Sequence, residues 1–235
     1  DDIYAYYNQN GKLPTTSATT PADYMEFFSR KAREGDAVIH FNISSGFSAA
    51  HNNACLAAKE FSNVYVVDSK NLSTGTALLM LRACDMAKEG VPAAKIAEEM
   101  KRLRDKVRAS FIIDKLEYLW KGGRCSGITA LGANLLRLKP CIEVEDGNMK
   151  VGKKFRGKLG DVLEEYVENR LKGREDLALD RIFITHAGIA QEHIDRVRRK
   201  VEEFAGFHEI LVTRAGCTIS NHCGPNTLGV LFITK

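Results

Sequence analysis

Short apolar runs alternate with polar turns and helix-period stretches along the first half of the chain. Ala37–Ile43 (AVIHFNI) and Val64–Val67 (VYVV) are apolar enough for buried strands. Each leads through a polar turn into a helical pattern, Ser48–Phe61 after the first and Thr76–Lys88 after the second. Tyr24–Glu34 reads as a helix stopped at Gly35, and Pro92–Val107 as a charged helix with proline in its first turn. Strand, turn and helix, repeated, predict a parallel sheet covered by helices, whose ligands sit beyond the carboxyl ends of its strands. From about residue 108 the pattern changes. Ala109–Asp114 is strand-like, Leu116–Trp120 is a short helix, and Lys121-Gly122-Gly123-Arg124 is a sharp break. Ile128–Leu138 is an apolar helix, and Cys141–Val144 joins Met149–Phe155 through Asp146-Gly147, a hairpin signal. A helix at Leu159–Leu171, a strand at Ile182–Thr185, a helix at Glu192–Phe204 and strands at Glu209–Thr213 and Val230–Thr234 follow.

The expected fold is therefore α/β with two domains: an α/β/α parallel-sheet domain over residues 1–107, then an α/β domain with a mixed sheet over 108–235. The chain opens inside a helical pattern, Asp1-Asp2-Ile3-Tyr4-Ala5-Tyr6-Tyr7, without a cap, so the first domain is expected to lack some N-terminal sequence.

Composition narrows the function. With 235 residues, 44% hydrophobic and 27% charged, the chain can bury one large core or two modest ones. The net charge of +4 is interleaved, as in Glu98–Lys106 (EEMKRLRDK), which marks a solvated helix face and argues against nucleic acid as a partner. No apolar run reaches bilayer length and no signal segment opens the chain, so the expected location is cytoplasmic. Six cysteines lack CxxC spacing, which speaks against a disulfide framework or a zinc site. The GxxxxGK[ST] and GxGxxG patterns are absent, and no cofactor or metal is expected.

Four polar segments remain: Leu13-Pro14-Thr15-Thr16-Ser17, Ile43-Ser44-Ser45-Gly46-Phe47-Ser48, Lys121-Gly122-Gly123-Arg124, and Ile219–Gly229 (ISNHCGPNTLG). In the second, three hydroxyls gather where the exposed N–H groups at the start of a helix favour an anion. Ser48 also reads as a plain helix cap. In the third, paired glycines allow another element close approach. In the fourth, His222 enters a Gly-Pro turn ahead of the last strand, while His40, His193 and His208 read as structural and His186 and His51 stay open. An enzyme alternative treats Gly46-Phe47-Ser48-Ala49-Ala50 as a degenerate nucleophile elbow, with His222 as base and Asp68 or Asp146 as acid, although Ala50 replaces the final glycine of GxSxG.

Leu13-Pro-Thr-Thr-Ser17, Ile43-Ser-Ser-Gly-Phe-Ser48, Val67-Asp-Ser69, Leu116-Glu-Tyr-Leu-Trp-Lys-Gly-Gly-Arg124, Leu138-Lys-Pro140, Lys154-Phe-Arg-Gly157 and His222-Cys-Gly-Pro-Asn-Thr-Leu-Gly229 stand in the order and spacing of the DegV family. This resemblance covers essentially the whole chain. It implies a protein, not itself an enzyme, that holds a long-chain fatty acid in a tunnel between two domains. It further implies that the carboxylate is presented to a separate fatty acid kinase subunit, with peripheral membrane contact for lipid exchange. On the same resemblance Thr16, Ser48 and His222 would hold the carboxylate with Ser44 and Ser45 in support, and Arg156 would face the kinase. The Ile128–Leu136 stretch is a candidate tunnel wall. The chain departs from the family where Ala49-Ala50 follow Ser48 in place of Gly-Thr, where Asn226 replaces a glycine, and at Cys125.

Overall fold

The computed structural model describes residues 2–125 and 138–235, and the chain forms two compact units. Thr16–Val107 and Asp146–Asn148 make up one; Asp1–Thr15, Arg108–Glu145 and Met149–Lys235 make up the other. The division falls between Val107 and Arg108, and the first fifteen residues group with the later part of the chain. The reason is aromatic packing. Helix α1 (Asp2–Asn10) sets Tyr4 and Tyr7 against the Tyr118 ring, with centroids 5.8 and 4.9 Å apart, and the Tyr4 hydroxyl donates to the Ala187 carbonyl at 2.7 Å.

In the unit built on Thr16–Val107, helix α2 (Pro21–Glu34) starts three residues earlier than its apolar pattern because of a reciprocal cap. The Asp23 N–H donates to Thr20 Oγ1 at 3.2 Å, the Thr20 N–H donates to the Asp23 carboxylate at 3.1 Å, and Pro21 occupies the first helical position. Strands β1 (Val38–Asn42) and β2 (Val64–Asp68) pair in parallel from Val38↔Val64 to Asn42↔Asp68, so their carboxyl ends finish side by side. Helix α3 (Ala50–Ala58) lies between them in sequence, and its small side chains admit neighbours closely. Tyr24 and Phe28 pack with Ala54, Ala57 and Val64. Phe28 is fully buried, so truncating it to alanine costs about 3–5 kcal/mol. Helices α4 (Ser73–Lys88) and α5 (Ala93–Leu103) follow; the charged helix stops at Leu103, a single 3-10 turn spans Arg104–Lys106, and the buried Val107 opens a strand.

The other unit carries β3 (Val107–Ile112), α6 (Leu116–Gly122), β4 (Leu138–Glu145), β5 (Asn148–Arg156), α7 (Leu159–Leu171), β6 (Leu177–His186), α8 (Gln191–Phe204), β7 (Glu209–Arg214), α9 (Cys217–Cys223) and β8 (Leu228–Thr234). Its six strands run in the order β5-β4-β3-β8-β6-β7. β3 and β4 pair antiparallel, β6 and β7 parallel, and β6 and β8 antiparallel, which makes the mixed sheet the pattern predicted. Asp146 and Gly147 both take positive φ, 48° and 76°, the backbone that a two-residue hairpin of matching twist requires. Tyr166 ties the core together. Its buried hydroxyl donates to the Ser110 carbonyl at 2.7 Å and accepts from the Val230 N–H at 2.9 Å, joining β3, α7 and β8.

One expectation falls outside the described residues and another changes. The predicted Ile128–Leu138 helix, with its candidate tunnel wall, lies outside the described residues except for Leu138, which begins β4. The Ile219–Gly229 segment begins as helix: His222 sits in the last turn of α9, and the turn starts only at Gly224.

Candidate functional site

In the Thr16–Val107 unit, the residues after β1 form a tight loop anchored on three sides. The Ser44 N–H donates to the Asn71 carbonyl at 2.8 Å, while Ser44 Oγ accepts from the Gly46 N–H at 3.1 Å and donates to the Gly147 carbonyl at 2.7 Å. Ser45 Oγ donates to Asp68 Oδ2 at 2.6 Å, and the Ser45 N–H reaches Asp68 Oδ1 at 3.2 Å. Asp68 also accepts from the Lys70 N–H at 2.9 Å. Burial pushes the Asp68 carboxyl up, but the hydrogen bonds from Ser45 and Lys70 outweigh it and hold the group below the usual carboxylate range. Asp68 is thus an ionised anchor for the loop, and the hydrogens of Ser44 and Ser45 serve the fold.

Ser48 is different. Helix α3 begins at Ala50, with Ala49 at its cap position and no side-chain cap bond, so Ser48 stands just ahead of the helix instead of inside the predicted Ser48–Phe61 span. Its Oγ accepts from the Ala50 N–H at 3.2 Å, which leaves the hydroxyl hydrogen to point elsewhere. The half-buried Thr16 lies in the extended stretch before α2, and that stretch is fastened to α3 by Asn53, whose Nδ2 donates to the Thr19 carbonyl at 2.8 Å. Thr16 and Ser48 therefore belong to one unit.

His222 belongs to the other unit, where the paired glycines have a definite use. A Cβ on Gly122 would collide with His222 Nδ1, so glycine is what lets the imidazole lie against the end of α6. Gly123, at φ 64°, then ends that helix in the left-handed region. Burial, and after it the positive charge of Arg124, push the His222 pKa down. The ring is therefore neutral at neutral pH and carries one N–H. Arg124 Nη1 donates to the Gly122 carbonyl at 2.7 Å. Neighbouring Asn221 donates from Nδ2 to the Pro14 carbonyl at 2.9 Å, which fastens the Leu13–Ser17 segment at its Pro14 end. Arg156 ends β5, exposed, while Phe155 beside it packs into the core against Tyr166.

His40 is enclosed by the Tyr24 and Phe28 rings at 5.3 and 5.2 Å, and burial lowers its pKa. His51 approaches Cys55 Sγ at 3.5 Å through Nε2. His186 Nδ1 accepts from the Gly188 N–H at 3.3 Å. Among the described residues no group of histidine, cysteine, aspartate and glutamate could hold a metal ion, and no helix is long and apolar enough to cross a membrane. Sequence reasoning missed the contacts that Gly147, seen only as a hairpin residue, makes with Ser44 and that Asn221 makes with Pro14. Both are backbone or amide contacts between residues far apart in sequence, and no local pattern signals them.

Comparison with known proteins extends these observations. The sequence model of the DegV family, described as uncharacterised proteins, matches residues 1–235. A DegV domain-containing protein of Caldanaerobacter subterraneus is 29% identical over 231 residues, 97% of this chain and 81% of the relative. One from Clostridium acetobutylicum is 30% identical over 227 residues, 95% of this chain and 79% of the relative. Among solved structures, a DegV family protein from Thermus thermophilus, described as fatty acid binding, matches with a TM-score of 0.89 at 29% identity, over 100% of this chain and 84% of its own.

Proposed function

The chain belongs to the DegV family, and from that premise we propose that it binds a fatty acid, as its Thermus thermophilus relative is described as doing, and that the acyl chain is a long one. The observation that carries the reading is Ser48: its oxygen is satisfied by the Ala50 N–H while its hydrogen remains available, at the N-terminal end of α3. A hydroxyl so placed suits a carboxylate. The proposed carboxylate ligands are Ser48, Thr16 and the neutral N–H of His222. Ser44 and Ser45 act one step back, by shaping the loop through Gly147 and Asp68.

The energetics divide the work between the two ends of the ligand. Each buried methylene contributes roughly 0.8 kcal/mol, and a hydrogen bond to a charged group about 1.5–3 kcal/mol. Over a long acyl chain the tail sets affinity, and the polar groups set direction and offset desolvation of the carboxylate. We assign the protein a carrier role without a chemical step of its own. The acyl carboxylate is presented to a fatty acid kinase partner for acyl-phosphate formation, and the exposed Arg156 meets that partner.

Uptake of cis-parinaric acid, a fluorescent long-chain fatty acid, tests the reading. Saturable uptake displaced by palmitate is expected; uptake that palmitate does not displace, or none at all, contradicts it. The hydrolase alternative gains nothing from the structure, since the carboxylate oxygens of Asp68 are engaged by Ser45 and the Lys70 N–H.

A further inference from the structure

Residues on both sides of His222 are clamped, and the clamp on the far side is built from side chains that the proposed site does not use. Gly224, at φ 76°, lies flat against Tyr118, where an added Cβ would fall 2.7 Å from the ring. Two residues on, Asn226 takes φ 61°, and its Nδ2 donates to Asp114 Oδ2 at 3.0 Å. Its N–H donates to the Gly188 carbonyl at 2.9 Å, and Thr227 Oγ1 donates back to the Cys223 carbonyl at 2.8 Å. Asp114 in turn is ion-paired with Lys139, each side chain only 18% exposed. The turn that ends the His222 helix is therefore pinned to a half-buried carboxylate just past the end of β3.

We propose that Asp114 is a positioning residue for His222, acting through the Asn226 amide to fix the turn after α9 and so the imidazole's place against Gly122. The inference rests on the fatty-acid reading for its functional consequence. Three observations support it. An asparagine at positive φ tolerates that backbone better than most residues but not as well as glycine, so its amide bond to Asp114 is what the side chain adds at this position. Burial pushes the Asp114 carboxyl up, but Lys139 and Asn226 outweigh it and keep the group ionised, which strengthens the amide bond. Finally, the helix so fixed is only seven residues long and has no side-chain cap, so its geometry depends on what holds its ends.

Asn226→Gly separates the clamp from the fold, because glycine accepts the same backbone while removing the amide. The readouts are the imidazole NMR signals of His222 and the release rate of bound cis-parinaric acid. With the clamp as described, N226G and Asp114→Ala both displace the His222 signals and quicken release about tenfold. The double variant adds little to either single one, and Asp114→Asn, which keeps an acceptor for the amide but loses the charge, falls between wild type and Asp114→Ala. Wild-type His222 signals and wild-type release in N226G would overturn the inference while leaving the binding reading intact. Wild-type protein that takes up no cis-parinaric acid would instead overturn the binding reading, whatever the His222 signals show.

Discussion

Gly46→Ala is the sharpest single test of how the serine loop is built. An added Cβ would lie 2.6 Å from the Gly147 carbonyl oxygen and 2.8 Å from Asn148 Oδ1. One of these contacts is backbone, so the 146–148 tip must move away. Overpacking of this kind costs about 1–3 kcal/mol. Displacing the tip also removes the acceptor of Ser44 Oγ, a hydroxyl on a side chain 1% exposed, and a buried donor left unsatisfied costs about 1–3 kcal/mol more. The expected loss is about 2–6 kcal/mol, read as a lower urea midpoint at unchanged slope. Ser44→Ala breaks the same contact from the other side and leaves the Gly147 carbonyl and the Gly46 N–H without their partner, for about 1–3 kcal/mol. Because both changes remove one shared interaction, the double variant should lose clearly less than the sum of the singles. A G46A protein within about 0.5 kcal/mol of wild type, or strict additivity with S44A, would refute the claim that this glycine lets Gly147 seat on the loop.

The other predictions follow from the same groups. Ser48→Ala should weaken fatty-acid retention by about 1.5–3 kcal/mol at most, since the tail dominates; in a coupled assay with a fatty acid kinase, phosphorylation should fall further, and unchanged phosphorylation would remove Ser48 from the head group. Arg156→Ala should leave fatty-acid uptake intact and lower the rate of that coupled assay; loss of uptake alone would show the residue to be misplaced. His40, His51, His186 and His222 all have pKa values pushed below the ordinary 6.5, burial being the largest cause in each. The unfolded chain therefore binds more protons than the fold as pH drops below about 6.5. Stability should be full above that value and fall beneath it, as thermal melts from pH 7.5 down to about pH 5 would show; a flat profile would mean the rings are not held neutral.

Much of this architecture can be read from the sequence because it rests on local periodicity. The parallel pair β1 and β2, the Asp146-Gly147 hairpin and helix α7 follow from alternation, turn chemistry and helical spacing, and the glycine pair at 122–123 marks a close approach. What escaped depends on tertiary contact. Helix α9 has the composition of a turn, with Thr218, Ile219, Ser220 and Asn221 all indifferent helix formers; it forms because Ser220, Asn221 and Cys223 are buried. The grouping of α1 with the later residues rests on two tyrosines meeting Tyr118 more than a hundred residues on. The hydroxyls of Ser44, Ser45 and Ser48 look equivalent in the sequence. Only the partners of Ser44 and Ser45, Gly147 and Asp68, separate those that build the loop from Ser48, the proposed ligand contact.

The central claim, that this chain carries a long-chain fatty acid, is tested most directly by denaturing the protein purified from cells and identifying extracted small molecules by mass spectrometry. The account predicts fatty acid in near-stoichiometric amount, lowered in the Ser48→Ala protein. Protein that yields no fatty acid, and that fails to acquire any when incubated with palmitate, would contradict it.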